Sequence, residues 1–404
     1  MRWAWGRDRL AVRTIVRDGE EIAVGNPLVG DAERAAAGRE TILVRERIMW
    51  ERNRARARET APDPDAVTAR VWWPRDPAAL RQRLGSDDVA LWSDPDRPGV
   101  LHLLWRGIAS AVTATGGLDA RLWPVPGGTG LWEASLYVRD LRRAVLEVLV
   151  FAAPDGGIEP AIGRAPDAMT RWIGPDAPAF PEPATRLSGT ISEHDPGRPV
   201  TVHIPPDAAG ALPGCLLADG QSVAAFAAHL EAAGGPRVVL MGVHSAEADG
   251  AAFPDPRNRE YCPDIDRSAF DAHLRFVTGS VLPWAAATLP VEPGPWTVAG
   301  FSSGATWAIA AAQRHPATFT RVAALSSGIV PRRPSRRASG VRHHLAAGLL
   351  EPGFRETARE FATALERAGH AVTHEEWVGG HDSWWWHRTL PGALANLLDD
   401  PDTG

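Results

Sequence analysis

Residues 297–315 join a short apolar run to a Gly-Phe-Ser-Ser-Gly turn and then to an alanine-rich segment of helix-forming residues. This order predicts a strand, a tight turn and a helix, and a Gly-x-Ser-x-Gly turn in that setting is a nucleophile elbow. Such an elbow holds Ser302 on a strained backbone, while Gly300 and Gly304 let the strand and the helix pack closely. We therefore predict that Ser302 is a catalytic nucleophile at the edge of a sheet.

The composition limits the class of protein. A chain of 404 residues is too long to fold around one ordinary hydrophobic core, so its length indicates two domains. A formal net charge of −6 gives no basic excess for binding nucleic acid or an acidic membrane surface. No apolar run is long enough to span a membrane, and the first ten residues lack the core of a signal peptide. The expectation is a cytoplasmic protein.

The first 151 residues are predicted to form a β-rich domain, in which the first 65 or so are left unassigned. From residue 67 onward, short apolar runs alternate with turn signals such as Gly116-Gly117, a pattern typical of a β-sandwich. Ten of the 17 tryptophans precede residue 180, and we expect them in the core and in a wall facing a ligand. Seven prolines between residues 152 and 186 predict an extended linker between domains.

From residue 187 to residue 404 the pattern changes to apolar strands that alternate with helical stretches. Alternation of this kind builds a mostly parallel sheet covered by helices on both faces. Ligands of such sheets bind beyond the carboxyl ends of the strands, where the elbow lies. The predicted fold class is therefore α/β, with an α/β-hydrolase domain preceded by a β-sandwich-like domain.

A serine hydroxyl needs a general base, which is usually a histidine held by a carboxylate. His381 follows a predicted strand, and the two glycines before it let the loop bend towards the serine. Glu351 stands after another strand and turn, where the acid of an α/β-hydrolase belongs in the chain order Ser, acid, His. Asp382 is the alternative acid, although neighbouring side chains normally point apart.

The oxyanion hole of such a site combines two backbone N–H groups. One is predicted to come from Ser303, directly after the nucleophile, and the other from Gln221, in the loop after an early strand. We predict no metal site, because the pair His343-His344 lacks a third ligand at suitable spacing, and no cofactor.

Six short motifs together resemble those of the enterochelin (enterobactin) esterase family, in the esterase D group of α/β-hydrolases. Four of them lie in the hydrolase part: Leu-Leu-Ala-Asp-Gly-Gln-Ser at 216–222, Arg-Asn-Arg-Glu-Tyr at 257–261, the elbow at 300–304 and Gly-Gly-His-Asp at 379–382. The other two, His-Leu-Leu-Trp-Arg at 102–106 and Thr-Gly-Leu-Trp-Glu-Ala-Ser at 129–135, are similar to motifs of that family's N-terminal β-sandwich.

The resemblance implies a substrate site enclosed by both domains, with a catecholate trilactone siderophore, metal-free or as a ferric catecholate complex, as the expected ligand. It assigns Trp105, Arg106 and Trp132 to the substrate-facing wall. It also implies that Arg257 lies beside the elbow, in contact with substrate or in an ion pair with Glu260.

Three hypotheses for function follow. The first is a serine esterase for carboxylic esters, with a siderophore trilactone or an acetylated or feruloylated carbohydrate as substrate. The second is an acyltransferase that uses the same nucleophile. The third is a non-catalytic binding protein, against which the complete Ser, acid and His set argues.

Overall fold

The computed structural model describes residues 76–399, except for residues 126, 129, 154–165, 209, 247–255, 332, 339 and 352. Before residue 76 it describes the backbone of three strands: β1 (Arg13–Arg17), β2 (Glu20–Val24) and β3 (Thr68–Arg70). β1 and β2 pair with each other as an antiparallel ribbon. The first 65 residues, left unassigned from sequence, thus contain at least these two strands.

An antiparallel sheet forms the N-terminal part of the described chain. Its strands after β3 are β4 (Val89–Ser93), β5 (Val100–Arg106), β6 (Ala111–Gly116), β7 (Ala120–Pro124), β8 (Leu131–Val138), β9 (Val145–Ala153) and β10 (Ala168–Ile173). Hydrogen bonds join them in the order β10-β9-β6-β7-β8-β5-β4, and β3 pairs with β8. Because one path connects all of these strands, the two-layered sandwich stays a prediction.

The predicted linker is wrong for part of its length. Residues 168–173 form β10, which pairs antiparallel with β9 and extends the N-terminal sheet. The prolines of the segment lie outside this strand, so their number did not exclude a strand between them. Helix α1 (Pro77–Leu84) was not predicted either, and it begins where Asp76 accepts a hydrogen bond from the backbone N–H of Ala78.

A second sheet of eight strands forms the C-terminal part. Its strands are β11 (Thr190–His194), β12 (Val200–Ile204), β13 (Gly214–Leu217), β14 (Val239–Val243), β15 (Trp296–Phe301), β16 (Phe319–Leu325), β17 (Arg342–Gly348) and β18 (Val372–Trp377). The order is β11-β12-β14-β13-β15-β16-β17-β18. β12 pairs antiparallel with β11 on one side and with β14 on the other. All further neighbours in this order, from β14 through β13 to β18, pair parallel. The predicted α/β fold with a mostly parallel sheet is confirmed.

Helices cover both faces of this second sheet. They are α2 (Val223–Ala232), α3 (Pro256–Tyr261), α4 (Arg267–Phe276), α5 (Leu282–Thr288), α6 (Ser303–Arg314), α7 (Phe354–Arg367) and α8 (Ser383–Leu398), and a π-helical segment, Val277–Val281, joins α4 to α5. Every residue of β14 is buried, as expected of a strand with both faces covered. Two separate apolar clusters lie against the sheet.

The two sheets pack directly on each other. Val145, at the start of β9, donates its backbone N–H to the carbonyl of Val378 at 3.2 Å and accepts the indole N–H of Trp385 at 3.0 Å. Val145 belongs to an apolar cluster of the C-terminal sheet, while Leu350 and Val378 belong to the cluster of the N-terminal sheet. Each part therefore completes the hydrophobic core of the other.

Candidate active site

The nucleophile elbow forms at the carboxyl end of β15, as the sequence pattern predicts. Ser302 has φ 55° and ψ −125°, a conformation that side-chain-bearing residues rarely adopt. A Cβ atom at Gly300 would lie 2.3 Å from the carbonyl oxygen of Gly304, and one at Gly304 would lie 2.9 Å from the side chain of Ala218. The glycines on both sides are thus required by the close packing of strand and helix.

Ser302, His381 and Glu351 form a continuous chain of hydrogen bonds. His381 Nε2 lies 3.0 Å from Ser302 Oγ, and His381 Nδ1 lies 3.2 Å from Glu351 Oε2. Serine, imidazole and carboxylate in this order are able to move a proton from the hydroxyl to the ring while the carboxylate fixes the tautomer. The structure brings together the three residues that the sequence singled out.

Glu351 is fully enclosed, but its carboxylate has polar partners. Oε1 accepts hydrogen bonds from Ser326 Oγ at 2.8 Å and from the backbone N–H of Gly348 at 3.1 Å. Trp386 in turn donates its indole N–H to Ser326 Oγ at 2.8 Å. These hydrogen bonds replace those that the buried carboxylate would otherwise make with water, and they fix the orientation of the oxygen that faces His381.

Asp382, the alternative acid, has a different contact. It caps the N-terminus of α8 by accepting the backbone N–H of Trp385 at 3.1 Å. Burial raises the pKa of its carboxyl well above the usual range, more than the hydrogen bond from Trp385 lowers it. Of the two carboxyl groups, Glu351 is the one that hydrogen-bonds to His381.

The predicted oxyanion donors lie in two different surroundings. Ser303 is the first residue of α6, where backbone N–H groups have no partner within the helix. The Gln221 side chain holds Ser245, donating to its hydroxyl at 2.7 Å and accepting its backbone N–H at 3.2 Å. The side chain of Gln221 thus fixes its own loop, and the pairing of its backbone N–H with that of Ser303 stays a prediction.

Arg257 lies beside the elbow, but its expected ion pair with Glu260 is wrong. Its guanidinium binds both carboxylate oxygens of Asp219, at 2.6 and 2.7 Å, and donates to Ser303 Oγ at 3.0 Å. Glu260 instead makes a two-pronged pair with Arg198, at 2.8 and 3.0 Å. Asp219, two residues after the end of β13, offers the planar match that a guanidinium prefers, so Arg257 supports the elbow with its charge already paired.

The three N-terminal residues assigned to substrate have structural partners. Trp105 and Trp132 are buried and lie opposite each other across β5 and β8. Arg106 donates to the carbonyls of Gly85, Ser86 and Asp87, directly after helix α1. Within the described residues, none of these contacts reaches the triad. Their assignment to the substrate wall thus gains no support.

A contact that the sequence analysis missed connects the N-terminal sheet to the catalytic histidine. The backbone N–H of His381 donates to the carbonyl of Gly116, at the end of β6, at 2.7 Å. A Cβ atom at Gly380 would lie 2.3 Å from the carbonyl oxygen of Gly116 and 2.5 Å from that of Gly117. The sequence does contain the two Gly-Gly pairs that make this contact, at 116–117 and 379–380. Each pair was interpreted as a local bend, whereas in the structure they pack against each other.

Within the described ranges, no group of three histidine, cysteine or acidic residues is arranged to hold a metal ion. Every helix in the same part of the chain falls short of the length and apolarity needed to cross a bilayer.

Comparison with known proteins finds one family and a set of similar folds. The family model described as "Putative esterase" matches residues 193–397. The enterobactin esterase of Shigella flexneri, solved in the presence of enterobactin, has a TM-score of 0.55 and 15% identity, covering 77% of this chain and 95% of its own. The ferric enterobactin esterase of Salmonella typhimurium has a TM-score of 0.55 and 17% identity, covering 78% and 98%. No curated protein matches the sequence.

Proposed function

Because the chain belongs to the esterase family, we propose that it is a serine esterase in which Ser302, His381 and Glu351 act as the catalytic triad. The observation that carries this proposal is the hydrogen-bond chain from Ser302 Oγ through His381 to Glu351, together with the strained φ of Ser302. Backbone strain of this kind destabilises the fold, and it is found mainly where a functional site requires it.

The reaction then proceeds in two steps. Ser302 Oγ attacks the ester carbonyl while His381 Nε2 accepts its proton, and the same nitrogen then protonates the leaving alcohol. The backbone N–H groups of Ser303 and Gln221 stabilise the negative charge on the carbonyl oxygen, assisted by the N-terminus of α6. Water attacks the acyl-enzyme in the second step, with His381 as the base. Glu351 holds the imidazole in the productive tautomer throughout.

The substrate that we propose to test first is a catecholate trilactone. Support comes from the extent of the likeness to the two enterobactin esterases, which covers 77% and 78% of this chain and therefore includes much of the N-terminal sheet as well as the hydrolase part. The proposed partner is thus a small-molecule ester, and the proposed location is the cytoplasm.

The test is a pair of serine variants treated with a fluorophosphonate probe. Ser302→Ala is expected to lose labelling and to lose ester turnover by a factor on the order of 10⁶, because the covalent route is removed. Ser280→Ala, which alters an exposed serine after α4, serves as the matched control and should label normally. Undiminished labelling of the Ser302→Ala protein would assign the nucleophile to another residue.

A further inference from the structure

The turn between β6 and β7 carries a carboxyl group that the triad does not use. Asp119 ends this turn, and Thr115 donates its hydroxyl to Asp119 Oδ1 at 2.7 Å. Within the part of the chain that the structure describes, Oδ2 has no hydrogen-bond partner, and the side chain is half-buried. One oxygen is therefore fixed in place while the other remains available to a ligand.

This turn is the segment that holds the catalytic histidine loop. Gly116, three residues before Asp119, accepts the backbone N–H of His381 at 2.7 Å. The carboxyl group of Asp119 is close enough for charges on His381 and Glu351 to act on it. The turn therefore brings an additional carboxyl group from the N-terminal sheet to the reaction centre.

The surroundings decide the charge of this carboxyl. Burial raises the pKa of Asp119 to about 6, and the negative charge of Glu351 acts in the same direction. The hydrogen bond from Thr115 and the attraction of His381 lower the pKa, but burial outweighs them. Above pH 6 the group is mainly a carboxylate. It changes its charge within a range in which the enzyme can be assayed.

Among the described residues, the arginine next to the nucleophile already has a carboxylate partner. Arg257 lies next to the elbow, but Asp219 binds its guanidinium through both oxygens. Glu351 adds another negative charge on the far side of His381. Asp119 and Glu351 therefore contribute two negative charges around His381 at neutral pH.

We propose that Asp119 is a specificity-determining residue of this esterase, whose carboxylate binds a cationic or hydrogen-bond-donating group of the substrate. This inference rests on the proposed function, because it assumes that esters react at Ser302. It names the substrate class more closely: esters with an ammonium or hydroxyl group near the scissile bond, the catechol hydroxyls of a trilactone among them, are preferred.

The test compares two esters of the same shape, butyrylcholine and 3,3-dimethylbutyl butyrate, which differ only in the positive charge. For each ester, kcat/KM is measured from the butyric acid released, and the ratio of the cationic to the neutral ester is the readout. Asp119→Asn keeps an oxygen for the hydroxyl of Thr115 but removes the charge. We expect the ratio to fall roughly fivefold, the effect of one part-exposed ion pair.

The unaltered protein provides a second measurement that needs no variant. Its ratio should rise as the pH increases from 5 to 7, because Asp119 ionises near pH 6 and then attracts the cation. His381 and Glu351 are the charged groups that act on Asp119, and both esters react through the same triad, so a change in the triad affects both esters and cancels in the ratio. Glu147, on the neighbouring strand β9, is paired with Arg171.

Asp87→Asn is the matched control, since it removes an exposed acid of the N-terminal part away from the triad, and it should leave the ratio unchanged. A ratio that is flat with pH in the unaltered protein, or equal in the Asp119→Asn protein, would overturn the role of Asp119. Absence of turnover of the neutral ester by the unaltered protein would instead count against the proposed function, and the role of Asp119 would be rejected with it.

Discussion

The serine side and the histidine side of the candidate site are built in different ways. Ser302 is held by residues that are its neighbours in the chain: β15 before it, α6 after it, and a glycine at two residues on either side. His381 is held by Gly116 from the N-terminal sheet and by Glu351 after β17. The nucleophile thus depends on local chain geometry, whereas the base depends on the packing of two sheets. Substitutions that act on one side alone test this difference.

Among substitutions on the histidine side, the largest effect is expected at the carboxylate that orients the histidine. Glu351→Gln should lower kcat by roughly 10⁴ and leave substrate binding nearly intact, because an amide favours the wrong imidazole tautomer. Asp382→Asn is the control, since asparagine also caps helices and the buried Asp382 carboxyl is already biased towards its neutral form. We expect it to change kcat less than tenfold. The reverse ranking would transfer the orienting role to Asp382.

A methyl group at the contact between the sheets should act on the base and not on the nucleophile. Gly380→Ala places a Cβ atom 2.3 Å from the carbonyl oxygen of Gly116, so the loop that carries His381 must shift. A shift of about 1 Å costs on the order of 10² in kcat/KM. Steady-state kinetics on a small neutral aryl ester measures this loss.

The control for this substitution is Gly392→Ala in α8, where an added Cβ atom would meet no atom within 4 Å. It should leave turnover unchanged and stabilise the helix by about 0.5–1 kcal/mol in urea unfolding. Full activity in the Gly380→Ala protein would mean that the N-terminal sheet does not position the histidine.

The smallest effect is expected at Trp386, whose ring packs edge-on against His381 at 4.8 Å between centroids and whose indole N–H binds Ser326. Trp386→Phe removes the indole N–H that holds Ser326, which in turn binds Glu351. Loss of one such bond costs about 1 kcal/mol, so kcat/KM should fall roughly fivefold. Trp307→Phe removes an indole N–H that is buried and without a hydrogen-bond partner among the described residues, and it should not alter kcat/KM. Equal losses in both variants would indicate a general packing effect.

The same difference explains how much was predictable from the sequence. Three features were predicted from patterns in the sequence. They are the elbow, the alternation of strands and helices, and the order of Ser302, Glu351 and His381, each of which stands next to a recognisable strand or turn. The structure shows all three. The resemblance to enterochelin esterases is also confirmed, by the family match and the similar fold. These features are local because strand, turn and helix are specified by adjacent residues.

The features that were missed are contacts between remote segments. The ion pair of Arg257 depends on where Asp219 lies after β13, whereas the family resemblance suggested Glu260 instead. β10 forms because β9 offers an edge to pair with, which proline content does not reveal. The approach of Gly116 to His381 and the position of Asp119 depend on how two sheets dock, which periodicity does not specify.

The hydrogen bond between Val145 and Trp385 joins residues 240 positions apart in the chain. During synthesis, the N-terminal sheet leaves the ribosome long before α8 exists, so the part of its docking surface that binds α8 has no partner until that helix is made. Refolding should show the same order: secondary structure returns first, and esterase activity follows in a later, slower phase when the two sheets dock. The time at which activity appears is therefore set by contacts between segments that lie far apart in the chain.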